Sequence, residues 1–370
     1  MKILISVHVV WWNASAYYAV TAAQALAARG HDVTVLAHHS TPTFAEARKR
    51  GLKVMGDINL LRVSPVSFFK IQSRLIKQLR SENFHIINPH RPEDHFHLAL
   101  ANRRAGGSSR LVRSVSDVRI PRGHLLNKIL HQKWTDGIIY CAKCCRERYH
   151  AGLQLEHLPD KIIYSALDVG SFARGDWETG NRFRDLSSPR IGIVARLSPN
   201  KGHRTLIEAA AEVLREAPSA SFIVAGKEEE VRFAELQKGA RQSGVERAFS
   251  FTGFLADPRP VMAACDIGVV ASTDSEVISR STQEFFAFGV PVVAARINVL
   301  PEMVEDGVNG LLFPAGNAGE LAAALLKLIK NPDLRRRYGE KALLRVKERH
   351  DLSVLGQETE TFFLEIPARK

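Results

Sequence analysis

The sequence feature that most constrains the fold is a repeated alternation of short apolar segments with segments of helix length. Near the amino terminus, the apolar segments Ile3–Val10 and Val33–Ala37 flank a helical segment, Ala16–Ala28, which ends before Gly30. Further short apolar segments follow at Ile86–Asn88, Arg110–Ser114, Gly137–Tyr140 and Lys161–Tyr164. Strands that alternate with helices form parallel sheets with helices on both faces. The first part of the chain therefore predicts an α/β domain.

The alternation stops once and then starts again. Residues 175–189 are rich in Gly, Asp, Asn and Ser and have no clear period. Five strands are predicted after them, at Arg190–Ala195, Ser221–Ala225, Phe249–Thr252, Ile267–Ala271 and Pro291–Ala295, and the helices at Arg204–Glu216, Glu229–Ser243, Ser279–Phe288 and Ala318–Lys330. We predict two doubly wound domains, 1–172 and 173–350, that face each other across a cleft. The helical tail Asp333–Phe363 is predicted either to brace the second domain or to return to the first, and we assign residues 351–370 to a returning helix.

Size and composition exclude several classes of protein. The chain has 370 residues, 45% of them hydrophobic and 24% charged, which is typical of a soluble globular protein with two cores. A disordered, collagen-like or disulfide-scaffold protein is therefore excluded. The cysteines are Cys141, Cys144, Cys145 and Cys265. Because no second cluster of ligands accompanies the first three, we predict reduced thiols in a cytoplasmic protein, with no metal site.

The positive charge is concentrated in the first half. Residues 1–170 carry 24 Lys and Arg against 12 Asp and Glu, whereas residues 171–370 carry 27 of each. The net charge of +12 therefore belongs to one half of the chain. This asymmetry indicates an anionic partner, which is a nucleic acid, an acidic membrane surface or an anionic substrate, unless the charge only keeps the surface soluble.

One segment combines this charge with an apolar face. At helical spacing, Phe68, Ile71, Leu75, Ile76 and Leu79 form an apolar stripe, and Lys70, Arg74 and Lys77 line another side. A basic amphipathic helix can lie on anionic lipid, but the same pattern is also typical of an ordinary domain helix.

The amino-terminal sequence resembles a signal peptide but also fits a strand followed by a helix. Met1–Ala27 has the basic start, apolar stretch and small residues of a signal peptide. Asn13 interrupts the apolar stretch, however, and Arg29–Asp32 leads into a new apolar segment, so we predict a strand, a helix and a second strand. No apolar run approaches the ~20 residues of a membrane span. We expect a cytoplasmic protein, with peripheral contact to the inner membrane as the open question.

Several standard catalytic motifs are absent from the sequence. The phosphate-binding loop motif and a Gly-x-Gly-x-x-Gly after the first strand do not occur. Gly-x-Ser-x-Gly and His-Glu-x-x-His are also missing. No Asp-x-Asp pair is present to hold a metal–nucleotide complex.

A different set of residues points to a nucleotide-sugar. Arg196 follows a predicted strand and Lys201 comes five residues later, so two cations can neutralise a diphosphate without a metal. The first helical N–H groups around Ser279, Arg280 and Ser281 form an anion site. The carboxylates of Glu276 and Glu284 suit hydrogen bonding to the hydroxyl groups of a sugar ring and of a ribose.

The sequence resembles the retaining GT-B glycosyltransferases of family 4. The resemblance rests on five motifs: Arg196 with Lys201-Gly202, Glu276-x7-Glu284, Gly289-Val-Pro291-Val-Val-Ala294, Pro301-Glu302 and Asn309-Gly310-Leu-Leu. The segment Ala166-Leu-Asp168 with Phe172 is similar to the family's segment just before the second domain.

The resemblance implies two Rossmann-like domains, with the acceptor site in the first and the donor site in the second. It implies that Arg196 and Lys201 hold the diphosphate, that Glu284 binds the ribose and that Glu276 binds the transferred sugar. It places the Ser279–Ser281 amides at the phosphate, Phe254 near the base, and His90 opposite the reacting sugar. It further implies front-face transfer with retention and no essential metal or other cofactor. The donor is then a UDP-, GDP- or ADP-linked sugar, and the acceptor a lipid-linked or lipopolysaccharide-core glycan that carries phosphates.

The sequence departs from the family in three places. Trp11-Trp12-Asn13-Ala14-Ser15 stands where relatives often have a Gly pair, so we expect Asn13 to contribute to an acceptor site of its own kind. Phe285-Phe286-Ala287-Phe288 replaces small residues after Glu284, and Gly226-Lys227-Glu228 replaces a Gly-rich turn.

Two alternatives belong to other classes. Another GT-B enzyme, a sugar-nucleotide epimerase or a phosphorylase, would use the same fold. The epimerase is disfavoured because Glu276-x7-Glu284 with Arg196 and Lys201 is a set of residues typical of transferases. The phosphorylase is disfavoured because we identify no lysine for its cofactor. A nucleic-acid-binding protein would explain a pI of about 9.7. No recognition motif supports it, so we predict no nucleic-acid partner.

Overall fold

The computed structural model describes residues 1–61, 64–173, 177 and 182–367. The chain divides into two compact units. The first unit comprises Met1–Ala166 and Leu352–Lys370, and the second comprises Leu167–Asp351. Six of the fifteen residues of the predicted boundary segment 175–189 therefore lie outside the described residues.

The first unit is built on a parallel sheet of seven strands in the order β3-β2-β1-β4-β5-β6-β7. The strands are β1 (Lys2–Ser6), β2 (Asp32–Leu36), β3 (Lys53–Met55), β4 (Ile86–Pro89), β5 (Arg110–Val115), β6 (Gly137–Tyr140) and β7 (Asp160–Ile162). The helices between them are α1 (Ala14–Ala28), α2 (Pro42–Lys49), α3 (Pro65–Glu82), α4 (Pro92–Ala105), α5 (Leu125–Lys133) and α6 (Lys143–Leu153).

The second unit is built on a parallel sheet of six strands in the order β10-β9-β8-β11-β12-β13. The strands are β8 (Arg190–Val194), β9 (Ser221–Ala225), β10 (Phe249–Gly253), β11 (Ile267–Val270), β12 (Val292–Ala295) and β13 (Gly310–Phe313). The helices of this unit are α7 (Gly170–Ala173), α8 (His203–Glu216), α9 (Phe233–Gln242), α10 (Arg259–Ala264), α11 (Arg280–Ala287), α12 (Leu300–Met303), α13 (Ala318–Ile329) and α14 (Pro332–Arg349).

The last helix, α15 (Leu352–Glu365), belongs to the first unit although it follows the second in sequence. It packs against α1, where the Cβ that Gly356 lacks would lie 3.0 Å from the carbonyl oxygen of Ala25. At its other end, the guanidinium of Arg110 donates to the carbonyl oxygens of Phe363 and Ile366. This helix covers the side of the sheet where β5 and β6 begin.

Both sheets are hydrophobic because parallel strands are covered on two faces. In the second unit every residue of β9, β11 and β12 is buried, and Phe285 and Phe286 of α11 pack into the same core. The aromatic residues after Glu284 therefore fill the core, as their apolar character suggests. No helix among the described residues is both long enough and apolar enough to cross a membrane.

Sequence analysis identified eleven of the thirteen strands in the described part of the chain. All predicted strands are present, but the first ends at Ser6 rather than Val10. The edge strands β3 and β13, of three and four residues, were missed. The predicted helical tail Asp333–Phe363 consists of two helices, and the chain breaks between them at His350, whose carbonyl oxygen accepts from the N–H of Leu167.

Candidate functional site

The strand order of the second sheet reverses between β8 and β11. At such a switch point the loops that leave the two strands diverge, and a crevice opens at the carboxyl ends. A cavity of about 20 Å³ lies there, lined by the ends of β8 and β11 together with Lys201, Glu276 and Ser281. Three residues singled out in the sequence, up to 80 positions apart, therefore share one small cavity.

An ion pair joins two of these residues. The ammonium group of Lys201 donates to Glu276 Oε2 at 2.6 Å, and both side chains are largely buried. The same carboxylate oxygen accepts from the Ser272 hydroxyl at 2.7 Å. Sequence analysis missed Ser272, although its place directly after a predicted strand marks it as a residue of the sheet's carboxyl edge.

The turn that carries Lys201 is held against β11 by a close backbone approach. Gly202 has φ +72°, and a Cβ at this position would lie 2.0 Å from the carbonyl oxygen of Ala271. Only glycine satisfies both conditions. The next residue, His203, is buried, and burial together with Lys201 lowers its pKa to about 4.

Arg196 lies outside this cavity. It follows β8 as predicted, but its side chain is 56% exposed and forms an ion pair with Glu229. Glu229 directly follows Gly226-Lys227-Glu228, the turn singled out in the sequence. Arg196 is thus at the correct edge of the sheet, with a counter-ion that sequence analysis did not identify.

The amino end of α11 carries the other predicted donor contacts. Ser279 is its N-cap residue and is fully buried, with its hydroxyl 2.8 Å from that of Thr282. Arg280, the first residue of α11, donates to Oε1 of Glu284, which lies one turn further along the helix, at 2.8 Å. Burial raises the pKa of Glu284, and the guanidinium of Arg280 opposes that rise.

Phe254, predicted near the base, follows β10 and is 68% exposed. The preceding Gly253 has φ +78°, which turns the chain away from the strand. Phe254 does not line the cavity of Lys201 and Glu276.

In the first unit, His90 follows β4 at the switch point between β1 and β4. It is buried, and its Nε2 lies 2.8 Å from Asn88 Oδ1. The side-chain amide of Asn88 donates to Ser114, which leaves its oxygen to accept from His90. Burial, with the nearby Arg113, lowers the pKa of His90 to about 3, so this imidazole is neutral.

Asn13 has a structural contact. It is the N-cap residue of α1, and its side-chain oxygen accepts from the Ala16 N–H at 3.0 Å. The neighbouring Trp11 is 74% exposed. Of the five residues that replace the Gly pair, Trp11, Asn13 and Ala14 are exposed, and Trp11 presents the largest apolar side chain.

The predicted amphipathic helix is α3. Ile71, Leu75 and Leu79 are buried, whereas Lys70, Arg74 and Lys77 are exposed. A groove of about 630 Å³ runs along it, lined by Phe69, Ile76, Lys77, Arg80, Arg104 and three polar residues. This groove lies far along the sequence from the donor residues, and its lining residues include no carboxylate.

The cysteine cluster lies at the end of β6 and the start of α6. Cys141 and Cys145 are buried with their sulfur atoms 3.9 Å apart, and none of the four cysteines, all of them described, forms a disulfide. No group of three or more His, Cys, Asp or Glu side chains in the residues that the structure describes is placed to hold a metal ion.

Comparison with solved structures identifies the architecture. The Anabaena protein HepE in complex with UDP matches with a TM-score of 0.83 at 22% identity, over 98% of this chain and 99% of that one. A glycosyltransferase from Rickettsia africae ESF-5 matches with a TM-score of 0.85 at 16% identity, over 99% and 98% of the two chains. The two Rossmann-like units therefore form a GT-B fold, as predicted.

Sequence relatives have glycosyltransferase names. An α-D-kanosaminyltransferase from Streptomyces kanamyceticus is 30% identical over 48% of this chain and 46% of its own length. The lipopolysaccharide core biosynthesis glycosyltransferase LpsE from Rhizobium meliloti is 32% identical over 42% and 43% of the two chains. This chain thus spans less than half the length of the curated relatives that it matches.

Two family profiles match consecutive parts of the chain. Residues 15–169 match the profile described as "Glycosyltransferase Family 4". Residues 188–331 match the profile described as "Glycosyl transferases group 1". Together the two matches take in most of both units, so the chain belongs to the group 1, family 4 glycosyltransferases.

Proposed function

We propose that the protein transfers a sugar from a nucleotide-sugar donor to a lipid-linked or lipopolysaccharide-core acceptor, with retention and without a metal. The observation that carries this proposal is the cavity at the β8–β11 switch point, which brings together Lys201, Glu276 and Ser281. It offers a cation, a carboxylate and the amino end of a helix, which are the groups that a sugar diphosphate requires.

The ion pair of Lys201 and Glu276 suits exchange with such a donor. A diphosphate gives the ammonium group a doubly charged partner in place of the carboxylate, and charge-assisted hydrogen bonds to phosphate are strong. Glu276, still held by Ser272, is then free to accept hydrogen bonds from sugar hydroxyls. Ion-pair exchange therefore links binding of the diphosphate to recognition of the sugar.

The same cations serve the leaving group. Cleavage of the bond between the sugar and the phosphate moves negative charge onto the diphosphate, and preorganised positive groups stabilise that charge. In the proposal Lys201 does so from within the cavity and Arg196 from its rim, once Arg196 releases Glu229. The N–H groups at the start of α11 add the positive end of a helix dipole.

Two further residues of the second unit are proposed to contact the donor. Glu284, buried on α11, is proposed to bind the ribose hydroxyls, with Arg280 as its counter-ion. Phe254 is proposed to contact the base. HepE is solved with UDP and with UDP-glucose, which makes a uridine nucleotide the first candidate to test.

The acceptor is proposed to bind the first unit. His90, neutral at the end of β4, is proposed to face the reacting sugar. An anionic acceptor fits the excess positive charge of residues 1–170, and the exposed cations of α3 are proposed to contact an anionic membrane surface. The name of the relative LpsE supports an acceptor of the lipopolysaccharide-core class.

Calorimetric titration with UDP, GDP and ADP tests the donor site. We expect one nucleotide to bind without added metal, and Lys201→Met to weaken it at least about tenfold, because a hydrogen bond to a charged group contributes about 1.5–3 kcal/mol. Lys330→Met, which removes another lysine from an ion pair, is the matched control and should bind as the wild type does.

A second variant separates folding from binding. Lys201→Met leaves the Glu276 carboxylate without its cation, so loss of stability is expected as well. The double variant Lys201→Met/Glu276→Gln removes both charges and should regain stability but not affinity. Unchanged nucleotide affinity in a folded Lys201 variant would refute the site.

A further inference from the structure

Exposed apolar side chains in the first unit are concentrated at one edge of its sheet. Among the described residues of this unit, nine large apolar side chains are exposed: Val10, Trp11, Val66, Phe69, Phe96, Ile120, Leu125, Leu126 and Leu364. The first eight lie in loops that follow a strand or in the first two turns of the next helix. Because all seven strands are parallel, those positions share the carboxyl edge of the sheet.

The clearest part of this surface is residues 116–126, the connection between β5 and α5 together with the first two residues of α5, which we call the 116–126 loop. Ile120, Leu125 and Leu126 are 64%, 72% and 73% exposed. Three neighbouring aliphatic side chains that face water indicate an interaction site rather than a scattered surface. On the other side of β4, the loop after β1 presents Val10 and Trp11, which are 59% and 74% exposed.

Cations accompany these side chains. Arg122 and Arg119, the latter paired with Asp117, are exposed within the 116–126 loop, and Lys70 is exposed beside Phe69 on α3. Apolar side chains flanked by Lys and Arg suit the boundary of an anionic bilayer, where the apolar groups enter the acyl region and the cations meet the headgroups. A soluble protein partner would not require the net positive charge of residues 1–170.

The width of the surface fits a bilayer better than a narrow ligand. The apolar positions begin at β3 and extend to β5, which are four strand spacings apart in the sheet order. Neighbouring strands are about 4.8 Å apart, so the apolar edge is about 20 Å wide. His90 ends β4, between the loops after β1 and β5.

We infer that the carboxyl edge of the first sheet inserts into an anionic bilayer through Trp11 and the 116–126 loop, and so meets an acceptor that is anchored in that bilayer. The link to the acceptor rests on the proposed function, whereas bilayer insertion does not depend on it. The inference differs from the contact proposed for α3, since it assigns insertion to Trp11 and the 116–126 loop, which lie outside that helix.

Vesicle binding tests the inference directly. The wild type should sediment with vesicles of phosphatidylethanolamine and phosphatidylglycerol. The double variant Leu125→Asp/Leu126→Asp should partition at least about tenfold less, because charged groups cannot enter the acyl region. Leu364→Asp is the matched control: Leu364 is 64% exposed in the same unit, but lies on α15 near the start of β5 and β6. It should partition like the wild type.

Tryptophan fluorescence tests the position of Trp11. Lipids brominated on the acyl chain quench only indoles that reach the acyl region. We expect strong quenching in the wild type and loss of most of it in Trp11→Phe, which keeps an apolar side chain and therefore keeps vesicle binding.

The possible results separate this inference from the proposed function. Failure of the wild type to bind vesicles, equal partition of the Leu125→Asp/Leu126→Asp variant, or quenching that survives in Trp11→Phe would overturn the inference. So would a wild-type dimer that becomes a monomer in the double variant, since a second copy would then cover the surface. Failure of the wild type to bind UDP, GDP or ADP, with intact vesicle binding, would instead refute the donor site alone.

Discussion

Glu284 lowers the free energy of unfolding, although it is proposed to bind the donor. It is a buried carboxyl group whose pKa is raised by burial and only partly restored by Arg280. A raised folded-state pKa means that folding disfavours the ionised form, so the cost appears as the pH rises above the ordinary pKa of a glutamate. At neutral pH this position therefore opposes folding.

Replacement of Glu284 by Gln should separate stability from donor binding. We expect a higher melting temperature at pH 7.5, because a neutral amide loses less hydration on burial, and nucleotide affinity about tenfold lower, because a charge-assisted hydrogen bond to the ribose is worth about 1.5–3 kcal/mol. Differential scanning calorimetry and nucleotide titration measure the two effects. Glu340→Gln, which breaks an exposed pair with Arg336 at the same helical spacing, is the control and should change neither. A lower melting temperature for Glu284→Gln would contradict this account.

At the scale of elements, the turn between β8 and α8 positions the donor cation. Lys201 ends a short helical turn, and Gly202 allows that turn to approach the end of β11 closely. The backbone conformation and the contact both require glycine. The position of Lys201 thus depends on a residue that has no side chain.

Gly202→Ala and Gly244→Ala form a matched pair. Both glycines have φ near +70°, but only Gly202 has an atom within 4 Å of the added Cβ. Each substitution should cost about 1 kcal/mol for the backbone conformation, and Gly202→Ala should cost more because of the contact with Ala271. Denaturant unfolding measures the cost. Only Gly202→Ala should weaken nucleotide binding; equal effects of both variants on binding would rule out a positioning role for this turn.

The elements also show what a sequence can and cannot predict. The periodic apolar pattern was sufficient to predict eleven strands, their alternation with helices and hence the two sheets. It did not identify β3 and β13, each of which pairs with a single neighbouring strand. The end of the first strand was misplaced because Val7–Val10 remains apolar after the strand has ended at Ser6.

The candidate site was predictable where strand ends carry charged residues. Lys201 and Glu276 follow adjacent strands, so their proximity follows from topology. Their pairing with each other, the counter-ions Glu229 and Arg280, and the hydroxyl of Ser272 depend on loop conformation. Loop conformation is not encoded in a period, and only the three-dimensional structure shows these contacts.

At the scale of the whole molecule, neutral buried histidines make stability depend on pH. Burial lowers the pKa of His90 to about 3 and of His131 to about 4, and holds that of His95 well below its usual value. All three belong to the first unit, whereas His203 is the corresponding residue in the second. The unfolded chain binds these protons below about pH 6.5, so stability should fall as the pH falls from there towards 4.

Calorimetry at pH 7.5 and pH 5.0 tests this expectation. We predict a lower melting temperature at pH 5.0, with the larger decrease in the transition of the first unit, because three of the four histidines lie there. His131→Asn should reduce the difference between the two pH values. His157→Asn, at an exposed position, should leave it unchanged. Equal melting temperatures at the two pH values would show that these histidines do not control acid stability.

The return of α15 to the first unit has a consequence for synthesis. The ribosome releases residues 1–166 first, but the helix that packs on α1 and covers the start of β5 and β6 emerges only after Asp351. The second unit is one continuous segment, so it can complete its fold during translation. The nascent first unit therefore has the part of its sheet that α15 covers exposed until this helix has been synthesised.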